Sequence, residues 1–407
     1  MLSRRWPTTI WVLLLGSVLA RAGGFAYPFL SYRVTDAGFT TAAAGQTLAA
    51  FGAGWLVGQP SAGWLADRVG RRRTLVGVMS TAAATMVALA EAESYAALLA
   101  AAFLTGAVYD AHRPVTTAAI TDLVPGETAR AAVNGARHFG INVAAAITGA
   151  VGGLVASSTG TTTLFYVNAA VCLAFAVLAW ALVTDNPSPA GGGPSRSHLP
   201  SALADLRLWL LAAATLSALL GAAGVFATLP LLMAQDGLTA AAYGWTQVAN
   251  GAAVLLLSPI VTPWLSRRAA SVNSLLAVFA ASSLLLGSGM TVAGLSSTLG
   301  SYCLAATLIV PGEIAIFIAA GALLDHIAPV GARGLYAGIW GTTLAGAIIL
   351  SPLVSTWSLA HGGGQTVAVV SAAAGGLGAA LALPLAAVLY RPAARPHAGF
   401  RPDLTTV

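Results

Sequence analysis

The sequence predicts an all-α membrane protein whose twelve transmembrane helices form two pseudo-symmetric six-helix bundles. Three observations carry that class. Residues of the AVILMFWYC set make up 57% of the 407 and charged residues only 8%, whereas soluble domains are about 25% charged. The chain holds repeated apolar windows longer than the roughly 18 residues that cross a hydrocarbon core. Its two halves also resemble each other at an offset of about two hundred residues.

Taken in order, the spans are 10–32, 41–64, 74–92, 96–120, 132–156, 163–184, 207–233, 240–264, 272–293, 297–322, 335–358 and 365–390, set by apolar length and polar punctuation. The first begins like a signal peptide, "MLSRRWPTTIWVLLLGSVLARAGG", but apolar character resumes through "FAYPFLSY". That continuity predicts an uncleaved first helix. Glycine, alanine and serine fill the interiors and let membrane helices approach closely. All nineteen basic residues are arginine. Arg4, Arg5, Arg68, Arg71, Arg72, Arg73, Arg130, Arg196, Arg207, Arg267, Arg268, Arg333, Arg391, Arg395 and Arg401 fall on one side of the twelve-span path. The other side receives only Arg33, beside Asp36, Glu91, Glu93 and Asp236. The positive-inside rule then puts both termini in the cytoplasm. "NPSPAGGGPSRSHLP", starting at Asn186, reads as a flexible linker. The domains expected are 1–185, the linker 186–206, 207–390 and a tail 391–407. Cys172 and Cys303 lie in apolar runs with no metal-ligand or disulfide spacing.

The repeat rests on three matches in one order. "GFTTAAAG" (38–45) pairs with "GLTAAAYG" (237–244), "QPSAGWLADRVG" with "SPIVTPWLSRRAA", and "ARAAVNG" (129–135) with "ARGLYAG" (332–338). Six spans return the chain to its starting side, so the repeats run parallel.

The turn "GWLADRVGRRR" (63–73) gathers one acid and four arginines within seven residues. It resembles the signature loop between the second and third helices of the major facilitator superfamily, with Gly63, Leu65, Asp67, Arg68, Gly70, Arg71 and Arg72 matching in position. "YDAHRPVTTAAITDLVPGETARA" (109–131) is similar to the fourth helix and following loop of that superfamily's bacterial drug:proton antiporters. Their fifth-helix pattern is kept at Asn142, Gly152 and Gly153, while Thr148-Gly149 stands where they carry Gly-Pro. The resemblance implies that Gly63, Asp67, Arg68, Gly70, Arg71 and Arg72 form a cytoplasmic gating latch between the halves. Physically, Gly63 is expected to allow close helix approach, and Gly70 to supply a positive φ. Asp67 is placed to pair with nearby arginines or to meet a helix N-terminus.

Ionisable groups inside spans are costly unless paired or wetted, and so mark candidate sites. These are Arg21, Asp110, His112, Arg113 and Glu313. At about 1.5 Å per residue Arg21 lies near the midplane of a ~30 Å core. Asp110 and Arg113 share a helix face, as a functional pair or a structural intrahelical one, while His112 points elsewhere. Pro114 removes the amide that would bond the Asp110 carbonyl, so the fourth helix should open there, and Pro311 stands two residues before Glu313. The resemblance implies that helices one, four, seven and ten surround one cavity. Gln46, Asn142 and Asn250 read as helix–helix hydrogen-bond partners.

The function expected is secondary transport in the cell's inner membrane, by proton-coupled export of small lipophilic compounds. Small-molecule substrate, protons and lipid are the expected partners, with no cofactor, no nucleic acid and a monomeric chain. The alternatives are a facilitator or symporter of a polar metabolite and, remotely, an intramembrane enzyme. Asp110 has no G-x-G-D companion carboxylate for the latter, and no P-loop appears.

Overall fold

The computed structural model describes residues 6–183, 199–268, 271–329 and 332–390. The linker stretch 184–198 and the tail from 391 lie outside the described residues, as do Arg4, Arg5, Arg196, Arg391, Arg395 and Arg401. No strand occurs among the described residues. The reason is the bilayer, where backbone must satisfy its own hydrogen bonds.

The first span is two helices, α1 (Thr8–Ala22) and α2 (Ala26–Asp36). Helix α3 (Thr41–Val69) starts on a Thr40 side-chain cap and runs through the predicted loop to Val69. Gly70, at φ +100°, is then the whole turn, and α4 (Arg71–Glu91) follows directly. The expected positive φ at Gly70 is present; the expected multi-residue loop is helical instead. Next come α5 (Tyr95–Tyr109), α6 (His112–Leu123), α7 (Glu127–Thr159) and α8 (Thr161–Leu182). After the linker follow the short α9 (Leu199–Leu203), α10 (Leu206–Ala227), α11 (Leu229–Gln235) and α12 (Ala240–Arg268). The chain closes with α13 (Val272–Gly294), α14 (Leu299–Leu308), α15 (Val310–Ile327), α16 (Arg333–Ala360) and α17 (Gly363–Leu389).

Among the described residues, ten helical stretches are long and apolar enough to cross a membrane, against twelve expected. The two missing from that set are helical all the same. In α3, Gln46, Gln59 and Pro60 dilute the apolar run. Helices α5 and α6 are 15 and 12 residues long, separated around the polar stretch Asp110–Arg113.

Four spans are broken, at Gly23–Phe25, Asp110–Ala111, Thr228 and Ile309. Each break is followed within a few residues by a proline: Pro28, Pro114, Pro230 and Pro311. Proline lacks the amide that would bond the carbonyl four residues back, so that carbonyl needs another donor. At the first break, Tyr109 Oη donates to the Gly24 carbonyl at 2.7 Å. At the second, the Arg113 amide bonds the Asp110 carbonyl at 2.9 Å in a tighter turn.

The segments before and after the linker meet along two seams. Helix α3 packs on α16 at Gly45 and Gly52, and α7 packs on α12 at Gly149, Gly153, Gly244 and Gly251. A Cβ on Gly149 would stand 2.3 Å from the Gln247 Cβ. These contacts lie in the halves of α3 and α12 remote from the 63–73 and 263–268 turns. At the same end Tyr27, Phe29 and Tyr32 of α2 pack against Phe226 and Tyr243. Arg33 there is buried and donates to the carbonyls of Ala90 and Ala92 at 2.8 and 2.9 Å. It thereby satisfies the orphan carbonyls at the C-terminal end of α4.

Candidate functional site

The four helix breaks surround a cavity of about 160 Å³. Arg21, Asp110, Arg113 and Glu313 all line it. Its walls differ by origin. Residues before the linker supply Arg21, Tyr27, Trp55, Tyr109, Asp110 and Arg113, a polar and aromatic face. Residues after the linker supply Leu219, Ala222, Ala223, Phe226, Phe317, Leu344 and Ile348, an apolar face on which Glu313 is the single ionisable group.

Local folding places Arg21 and Glu313 at helix ends that suit their charges. Arg21 stands in the last turn of α1, where the helix dipole favours a cation. Glu313 stands in the first turn of α15, where the dipole favours an anion, while Asp110 lies between the C-terminal end of α5 and the start of α6, where the two dipoles oppose. Partly buried, such a placement is worth up to about 2 kcal/mol. The breaks that end α1 and start α15 therefore also stabilise Arg21 and Glu313.

Asp110 is held on both oxygens. Arg113 Nε pairs with Oδ1 at 3.0 Å, and Trp55 Nε1 donates toward Oδ2 at 3.4 Å. Neither the Arg21 guanidinium nor the Glu313 carboxylate makes a hydrogen bond or ion pair among the described residues. The charge acting on Glu313 is that of Arg21, across the cavity.

His112 is a correction. It does not line the cavity; its ring is buried edge-on against Phe175 of α8, with centroids 5.8 Å apart, and Nδ1 has no partner. Two residues past Asp110 on a newly started helix, it packs toward α8 and does not line the cavity.

In the 63–73 turn, Arg71 Nη1 pairs with Asp67 Oδ1 at 2.6 Å, and Arg71 Nε reaches Asp122 Oδ2 at 3.3 Å. The Arg68 guanidinium lies over the Trp64 ring at 4.2 Å, and Arg72 donates to the Trp180 carbonyl. These contacts tie α3, α4, α6 and α8, all before the linker, whereas the latch expectation placed them between the two halves. Gly63 is a second correction. A Cβ there would meet Pro114 only at 4.0 Å, so no close approach requires the glycine.

Several residues escaped the sequence reading. Tyr27, Trp55, Tyr109 and Phe226 are aromatics like many others until the fold brings them to one wall. Thr148 gave a signal, standing where related antiporters have glycine. Its Oγ1 donates to the Arg21 carbonyl at 2.5 Å, bracing the end of α1 that carries Arg21. Gln46 and Asn250 act as expected between helices: Gln46 accepts from Tyr95, and Asn250 Nδ2 donates to the Ala306 carbonyl at 3.0 Å. Among the described residues no cluster of three His, Cys, Asp or Glu side chains offers a metal site.

Comparison with known proteins places this architecture. A Bacillus subtilis (strain 168) protein named as an uncharacterised MFS-type transporter, YuxJ, is 31% identical over 180 residues. That alignment covers 42% of this chain and 44% of the relative, less than half of either. A POT family transporter solved with 5-aminolevulinic acid superposes with a TM-score of 0.77 at 13% identity, covering 95% of this chain and 97% of that one. The nucleoside transporter NupG superposes with a TM-score of 0.73 at 14% identity, over 94% and 100% of the two chains. A crystal structure of the peptide transporter POT gives 0.75 at 16% identity, over 94% of each. At such identities the likeness is one of fold. Residues 12–312 match the family described as Major Facilitator Superfamily. With that match over most of its length, the chain belongs to the Major Facilitator Superfamily, a transporter family and not a class of enzymes.

Proposed function

We propose that the chain is a secondary transporter that exports small, lipophilic compounds in exchange for protons. In this reading it is a monomer of twelve spans in two six-helix bundles, residues 1–185 and 207–390, with both termini cytoplasmic. The observation that carries the proposal is the convergence of Arg21, Asp110, Arg113 and Glu313 on one cavity lined from both sides of the linker. A cavity-lining carboxylate that makes no ion pair is suited to pick up and release a proton, and Glu313 meets that description better than Asp110. The seams and the α2 aromatics occlude the cavity at the end remote from the arginine-rich turns, so it opens toward the side that the positive-inside rule makes cytoplasmic. In the reverse state the Asp67–Arg71–Asp122 group would close that side as the seams part. The test is transport by the purified protein in liposomes under an imposed pH gradient, with cationic drugs, neutral drugs, sugars and amino acids offered in turn. Proton-driven movement of a lipophilic compound supports the reading. Gradient-independent movement of a sugar alone would replace it with a facilitator.

A further inference from the structure

Arg21 and Glu313 face the same cavity with opposite charges, from α1 and α15, and neither side chain makes a hydrogen bond or ion pair among the described residues. Asp110 differs, because Arg113 and Trp55 already occupy its oxygens. Unpaired charge in a low-dielectric site is costly, and the helix ends beside these two offset only part of that cost. A guest carrying one charge would satisfy one group and leave the other bare. A neutral guest would displace water from both.

We infer that the cavity takes a small zwitterion with an apolar body, its anionic group on Arg21 and its cationic group on Glu313. The inference rests on the secondary-transport part of the reading above and makes the guest zwitterionic rather than simply lipophilic. The two-faced wall supplies the rest of the recognition. Leu219, Ala223, Phe226 and Phe317 offer apolar contact, and Tyr27 and Trp55 line the same cavity from the segment before the linker. Size sets the scale of the guest. About 160 Å³ falls below the roughly 300–1,000 Å³ of sites that bury drug-sized ligands, so an amino-acid-sized molecule fits better than a large drug.

The experiment uses the full chain in lipid nanodiscs and four probes that share one ring: phenylalanine, phenethylamine, 3-phenylpropionate and 2-phenylethanol. Affinity is read from the ligand-dependent rise in unfolding temperature. Phenylalanine should bind at least about tenfold more tightly than each of the other three. Arg21→Gln should erase its advantage over phenethylamine, and Glu313→Gln its advantage over 3-phenylpropionate. Arg21→Lys, which keeps the charge, should preserve the order of the four. If phenethylamine or 3-phenylpropionate equals phenylalanine on the wild-type protein, or if no probe binds, the inference is overturned. Equal loss of all four probes in both Gln variants overturns it too, since that marks a structural role. The transport reading fails separately. A protein that carries a cationic drug under a pH gradient yet ignores the second charge keeps the transport reading and loses this one. A protein that binds phenylalanine and moves nothing does the opposite.

Discussion

Asp110 and Glu313 look equivalent in the sequence, matched acids about two hundred residues apart in repeat-related spans. Their surroundings divide them. Arg113 holds Asp110 at 3.0 Å, while Glu313 makes no ion pair and meets the charge of Arg21 across the cavity. In the transport reading, Glu313→Gln therefore lowers pH-gradient-driven transport by at least about tenfold while substrate still binds, though more weakly. Asp110→Asn instead weakens transport at every pH, because it releases Arg113 into the cavity. Uptake assayed across a pH series separates the two outcomes, and wild-type gradient-driven uptake in Glu313→Gln would refute the assignment. The ionisable residues themselves were legible because charge inside an apolar span stands out. What each side chain meets was not. Spacing turned His112 off the Asp110 face, yet nothing in the sequence placed it against Phe175. The same limit hid Tyr109, whose hydroxyl satisfies the carbonyl that Pro28 orphans.

At the level of helices, prolines explain more than the sequence reading drew from them. The breaks ahead of Pro114 and Pro311 were foreseeable beside the two acids; those ahead of Pro28 and Pro230 carry the same signal without a neighbouring charge. Pro60 and Pro352 stay inside continuous helices, so proline alone does not decide. Packing between α3 and α5 depends on glycine instead. A Cβ at Gly58 would stand 1.7 Å from the Ala107 carbonyl oxygen, and at Gly54 1.9 Å from that of Phe103. Gly58→Ala should destabilise the fold by about 1–3 kcal/mol through overpacking. Gly77→Ala, which meets open space, should be neutral or stabilising by about 0.5–1 kcal/mol. Thermal unfolding of the two variants in detergent compares them directly. A different device starts α10. Asp205 caps its first turn, pairs with Arg207 at 2.9 Å and accepts from Tyr336 Oη at 3.0 Å. Burial raises the Asp205 carboxyl, but the bonds from Arg207 and Tyr336 outweigh it and hold the group below its ordinary value. A depressed folded value stabilises above the unfolded value of about 3.9 and loses that contribution as pH falls through the folded one. Asp205→Ala should thus cost about 1–2 kcal/mol at neutral pH. Its unfolding midpoint should approach wild type as pH drops below about 4; a gap that stays constant down to strong acid would count against the charge.

Across the whole molecule, composition, span length and the repeat announced the all-helical membrane class, and the Asp67 turn announced the family. The direction in which that turn acts was not readable, since its bonds to Arg71 and Asp122 stay within the segment before the linker. Replacing Asp67 by Asn leaves the arginines that set orientation and removes the ion pair between Asp67 and Arg71. Insertion should be unchanged, while cysteine probes should report a shifted balance between cavity-open and cavity-closed ends. Identical labelling at both ends would show that the turn is structural. The seam between α7 and α12 bears on how fast such a shift runs. Gly153 and Gly244 meet backbone alone, and Gly149 and Gly251 first meet the Cβ atoms of Gln247 and Ala146, so few side-chain atoms stand between the two helices. Helices that interlock by ridges and grooves must lift out of register to move past each other. A smooth contact has no teeth to lift and no rotamers to reset. Its resistance to sliding is closer to lubrication than to a ratchet, which leaves the pace of exchange to the aromatic plug around Tyr32 and Tyr243.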